Sequence, residues 1–137
     1  MATRAQRSVR ATIEYDGSAF AGSQVQPNAR TVQVELETAL NRLIGERTRV
    51  RLAGRTDAGV HATGQVAAFR VPRVIPRGGG LPELQRRLNA ALPSDLAVRA
   101  LRSVGPQFDP RRDALWRVYR YRVRMNGTRQ PLERHRT

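Results

Sequence analysis

Between Val9 and Gly17 apolar and polar side chains alternate, with Val9, Ala11, Ile13 and Tyr15 set against Arg10, Thr12 and Glu14. A period of two predicts a half-buried strand, and Asp16-Gly17 is a turn signal that ends it. The stretch from Ser18 to Arg30 is small, polar and broken by Pro27, so it predicts a loop. From Thr31 the period lengthens. Val32, Leu36, Ala39, Leu40 and Leu43 fall on one helical face, with Thr31 as N-cap and Gly45 as stop. "TRVRLA" (48–53) predicts a second strand and "GQVAAFRV" (64–71) a third. "PRVIPRGGGLP" (72–82) reads as a flexible connection, because three prolines and three consecutive glycines do not fit inside an element. "PELQRRLNAAL" (82–92) predicts a second helix, opened by Pro82, closed by Pro93 and striped by Leu84, Leu88, Ala91 and Leu92. "DLAVRALRSV" (95–104) and "LWRVYRYRVRM" (115–125) predict two more strands. The order β-α-β-β-α-β-β predicts an α+β fold with the helices packed on one face of a largely antiparallel sheet.

A chain of 137 residues is the size of one domain and buries enough surface to fold without a staple. It has no cysteine, which excludes disulfides, thiolate metal sites and a cysteine nucleophile. His61 and His135 are its two histidines, so no metal centre is expected. No apolar run has the length of a membrane span, and "MATRAQRSVRATIEY" lacks the apolar core of a signal peptide. The expectation is a cytoplasmic protein with no membrane partner. Residues 126–137 are polar and have only Leu132 to bury. They read either as a tail or as the place where the chain stops short of a segment it normally runs into.

Charge changes this picture most. The net charge is +14, and all 25 basic residues are arginine. Arginine carries a planar fork of donors suited to phosphate and can stack on bases, and so large an excess points to a nucleic-acid partner. An arginine-rich proteome would account for arginine in place of lysine, but not for the excess of base over acid. The last predicted strand fits an RNA partner. Alternation puts Tyr119 and Tyr121 on one face and Arg120, Arg122 and Arg124 on the other. Three like charges at two-residue spacing repel one another, and phosphates along an RNA backbone would relieve that. Tyr121 reads as a core residue.

One turn carries more chemistry than a connection needs. "RLAGRTDAGVHATGQVAAF" (51–69) places Arg55, Asp57 and His61 within seven residues, bounded by Gly54 and Gly59, between two predicted strands. Asp57 has a structural reading, as an Asx turn bonding its own backbone. It also has a chemical one. Arg55 would hold its carboxyl ionised, the glycines would let a bulky ligand near the backbone, and a rigid sheet would aim the turn. His61 reads as a hydrogen-bonded turn residue.

"AGRTDAGVHATGQVAAF" resembles the signature of the TruA family of tRNA pseudouridine synthases, whose catalytic aspartate sits in a G-R-T-D-A-G-V-H motif. "IEYDGSAFAG", "LNAALPSDLAVR" and "FDPRRDALWRVYRYRV" resemble further parts of the first half of that family. The resemblance implies that Asp57 is the nucleophile, that Arg55 engages it and helps displace the target base, and that Tyr119 stacks on the flipped uracil. It places Arg111 near the substrate channel and includes His61 in the motif. It implies a tRNA anticodon stem-loop as partner, a homodimer in the full-length family and no cofactor. It covers residues 1–125 as an N-terminal half, with 126–137 where the family continues into a second half. The family usually reads Gly-Trp-Gln where this chain reads Gly22-Ser23-Gln24, and a serine there is expected to supply little packing or contact area.

Overall fold

The computed structural model of the chain describes residues 5–113. The predicted fifth strand, with Tyr119, Tyr121, Arg120, Arg122 and Arg124, and the 126–137 segment lie outside the described residues. Within them the order is β1 (Gln6–Tyr15), a 3-10 turn (Gly17–Ala19), α1 (Val32–Ile44), β2 (Arg51–Leu52), β3 (Ala62–Pro72), α2 (Gly80–Ala91) and β4 (Leu96–Val104). The strands form one sheet in the order β2-β3-β1-β4, and every neighbouring pair is antiparallel. This is the predicted α+β architecture.

The core lies on one face of the sheet. Val9, Ala11, Ile13 and Tyr15 of β1 point into it, beside Ala67, Phe69 and Val71 of β3 and Leu96 and Val98 of β4. The helices cover this face with the stripes their spacing predicts. Val32, Leu36, Ala39, Leu40 and Ile44 are buried from α1, and Leu84 and Leu88 from α2. The Thr31 side chain accepts from the Val34 N–H, and Gly45 closes α1 in the left-handed conformation at φ 84°.

Two expectations are corrected. The connection 72–82 is shorter than predicted, because Pro72 completes β3 while Gly80, Leu81 and Pro82 form the first turn of α2, where no intrahelical N–H bond is needed. The second strand is reduced to Arg51–Leu52, paired with Ala68 and Ala67. Side chains of α1 take over the backbone of the residues before it. Asn41 Oδ1 accepts from Thr48 N–H at 2.8 Å, Glu37 Oε2 accepts from Val50 N–H at 2.8 Å, and Gln33 Nε2 donates to the Val50 carbonyl at 2.9 Å. With those groups already satisfied, the strand ladder begins only at Arg51.

Candidate active site

Residues 53–61 join β2 to β3 at the end of the sheet where β1 also ends. The turn leaves the sheet gradually. Ala53 N–H still donates to the Val66 carbonyl at 2.8 Å, and the Gln65 amide then replaces a strand partner, bonding both Gly54 N–H and the Gly54 carbonyl. Thr56 is held from two other elements. Its N–H donates to Ser23 Oγ at 2.8 Å, its carbonyl accepts from Ser23 N–H at 3.0 Å, and its hydroxyl shares a 2.8 Å hydrogen bond with the Tyr15 hydroxyl at the end of β1.

Asp57, the next residue, is exposed, and its carbonyl accepts from Val60 N–H at 3.1 Å. Gly59 completes the turn at φ +83° with open space around its missing side chain, so it is the backbone conformation that calls for glycine there. Asp57 and Arg55 line a hollow of about 410 Å³ with Gln24, Gln26 and Thr56. Among the described residues no ion pair joins Arg55 to Asp57.

A second hollow, of about 250 Å³, adjoins the first through Arg55 and Gln24 and is lined by Arg51, Asp109 and Arg111. The chain beyond β4 brings the last two there. It leaves β4 at one edge of the sheet, and by Phe108 its carbonyl accepts from Arg51 of β2, at the opposite edge. The backbone N–H groups of Arg112 and Arg111 hold the Asp109 carboxyl below its ordinary range, with Arg51 adding to the effect. The structure thus brings Arg55, Asp57 and Arg111 to adjoining hollows, while Tyr119 lies outside the described residues. His61 sits at the entry to β3, where its Nδ1 accepts from Gly17 N–H at 2.9 Å and lies 3.2 Å from Asp16 Oδ1. That is the hydrogen-bonded turn position its isolation in the sequence predicts.

Several residues shape the site through contacts that their sequence neighbours do not suggest. Ser23 is fully buried and makes the paired bonds to Thr56, so a serine here supplies loop order rather than little at all. Gly17 packs so closely beneath the turn that a Cβ would stand 1.9 Å from the Val60 carbonyl oxygen. A Cβ on Gly22, at φ +91°, would meet the Thr56 carbonyl at 2.9 Å. Arg30 grips Asp95 with both terminal nitrogens, at 2.9 and 2.8 Å, bonds Glu35 at 3.2 Å and lies 4.1 Å over the Phe20 ring. Its hydrogen bonds hold Asp95 below the ordinary carboxylate range and raise the arginine in turn. These contacts fix the 16–31 loop, on which Ser23 and Gln24 stand, against the start of β4.

A family model described as tRNA pseudouridine synthase matches residues 11–113. The chain is 47% identical over 128 residues to a tRNA pseudouridine synthase A of Geobacter sp. strain M21, covering 93% of this chain and 50% of that protein. It is 50% identical over 123 residues to one of Myxococcus xanthus, covering 90% and 45%, and 47% identical over 130 residues to one of Limosilactobacillus fermentum, covering 92% and 48%. The chain spans about half the length of these relatives. With the motif around Asp57 seated on its sheet and the match running through most of its residues, the chain belongs to the tRNA pseudouridine synthase family.

Proposed function

We propose that this chain carries the nucleophile-bearing half of an enzyme that isomerises uridine to pseudouridine in tRNA, with Asp57 as the nucleophile. The observation that carries the proposal is the state of the motif turn. Its backbone is pinned through Thr56, while the adjacent carboxylate is exposed at a hollow it shares with Arg55. A reactive group needs this combination of a rigid mount and an open approach.

The chemistry suits a carboxylate. The ribose–N1 bond breaks, the base turns, ribose joins to C5, and the C5 proton leaves as N1 takes one up. Atoms and electrons balance without oxidant, reductant or net water. The nucleophile must add to an electrophilic carbon and leave again, which a carboxylate does. Attack at the ribose anomeric carbon and attack at uracil C6 both meet this requirement. The target base must leave its stack, and Arg55, which lines the same hollow as Asp57, is the residue we assign to help displace it. In this reading Arg111, which lines the adjoining hollow, meets a flanking phosphate, Tyr119 is the stacking platform, and Arg120, Arg122 and Arg124 are backbone contacts. The resemblance adds the anticodon stem-loop as target and a cytoplasmic homodimer as the working assembly.

The test is tritium release from tRNA carrying 5-tritiated uridine, with the parent chain and Asp57→Asn side by side. Release by the parent and none by the variant, with equal tRNA retention, is the expected result. Equal release from both would remove Asp57 from the chemistry. Retention of tRNA by both without release would mean that the nucleophile is present in an RNA-binding half while the other wall of its cleft is missing.

A further inference from the structure

The face of the sheet away from the helices has a composition of its own. Along β1 it carries Ser8, Arg10, Thr12 and Glu14, the residues that alternate with the buried ones. Register puts Arg10 directly opposite Arg102 of β4 and opposite Ala68 of β3, while Ser8 lies opposite Arg70. Arg10 and Arg102 therefore stand level on adjacent strands, with Arg70 on the third strand a diagonal step from Arg10. Like charges directly opposed on one face of an antiparallel pair repel and destabilise it.

Among the described residues, no carboxylate bridges any of these three arginines. Glu14 is the only acid in the three long strands, and Arg99 already faces it at 4.0 Å while donating to the Thr63 carbonyl at 3.1 Å. Ser8 and Ala68 fill the corners beside Arg70 and Arg10, and Thr12, Val66 and Ala100 form the next row toward the motif end of the sheet.

We infer that this group of arginines is a docking surface for an RNA sugar–phosphate backbone. Guanidinium forks on adjacent strands, with no carboxylate bridging them among the described residues, match a row of phosphates. Arg10 stands five residues along β1 from Tyr15, roughly 17 Å from the motif end of the sheet at strand rise. The surface therefore meets backbone remote from the reacting nucleotide. The inference rests on the proposed RNA-directed function and names the surface that holds the substrate away from its target base.

The test compares the parent chain with two triple variants of equal charge. One is Arg10→Gln/Arg70→Gln/Arg102→Gln. The other changes helix-side arginines, Arg42→Gln/Arg47→Gln/Arg86→Gln. Binding of a tRNA anticodon stem-loop is measured across a salt series. The sheet-face variant should lower the magnitude of the salt slope by about two to three, one per lost phosphate contact, and the helix-side variant by less than about one. Because repulsion is relieved, the melting temperature of the sheet-face variant should hold or rise. A drop of several degrees would show that these arginines serve the fold and overturn the inference. Equal losses in both variants would reduce the binding to net charge and also overturn it. Unchanged slopes in both would overturn it while the RNA-directed function stands, whereas a parent that fails to retain the stem-loop removes both.

Discussion

Thr56 and Asp57 are neighbours in the chain and opposites in their surroundings. Thr56 is tied through its N–H, carbonyl and hydroxyl to Ser23 and Tyr15, residues 33 and 41 positions away. Asp57 is exposed beside a hollow, and among the described residues no such set of bonds is directed at its carboxylate. The contrast separates two tasks that a single residue would perform poorly. A group that is to form and break a bond keeps its lone pairs uncommitted, so positional precision is delegated to the residue before it. Disturbing Thr56 should therefore cost order, and disturbing Asp57 should cost chemistry.

The largest structural effect is expected at Gly17. Alanine there would drive a Cβ into the Val60 carbonyl, so either the 3-10 turn or the motif turn must move. Overpacking of this kind costs about 1–3 kcal/mol, and the upper end is expected because the obstacle is backbone. Chemical denaturation of Gly17→Ala would measure it, and an unchanged midpoint would show that the two turns do not press on each other. Next comes Ser23→Ala, which strips the acceptor from Thr56 N–H and should cost about 1–3 kcal/mol. Faster hydrogen exchange at the Thr56 amide should accompany the loss, and an amide as protected as in the parent would place the pin elsewhere.

A smaller effect should appear with acid. The Asp95 carboxyl is held below its ordinary value of 3.8 by Arg30. A depressed carboxylate contributes stability that is present above its unfolded pKa and is lost as pH falls through the folded one. Stability in the parent should therefore fall as pH drops below about 4, and Arg30→Gln should remove that component of the slope. Equal slopes in parent and variant would detach the ion pair from acid sensitivity. The smallest effect is expected for Asp57→Asn, whose stability in chemical denaturation should match the parent within the ~0.5 kcal/mol usual for surface changes. A clear loss of stability would mean that the carboxylate belongs to the fold after all, and the contrast with Thr56 would collapse.

The elements and both helix stripes were legible because periodicity and capping are local. Thr31, Gly45 and the leucines of α1 announce themselves within one window of sequence. The second strand was not legible beyond Arg51 and Leu52, since its first residues are bonded by Asn41, Glu37 and Gln33, side chains that no strand propensity describes. At the site, the motif around Asp57 stood out by its composition, and Arg55 and Arg111 were placed by resemblance. The contacts of Ser23, Gly17 and Arg30 escaped, because each acts on a partner that only the folded chain brings near. A buried serine in a polar loop looks like any other loop residue until Thr56 is beside it.

The spacing of these partners has a consequence in time. Tyr15 meets Thr56 across 41 positions, Gly17 meets His61 across 44, and Arg30 meets Asp95 across 65. Contacts of such separation form only after the loops between them have closed, and loop closure costs entropy before any contact offsets it. During synthesis, a nascent chain ending before Asp95 holds the whole motif from Gly54 to His61, yet lacks the clasp that fixes the 16–31 loop beneath it. Full anchoring of the loop on which Ser23 stands therefore waits until the chain has been made through Asp95.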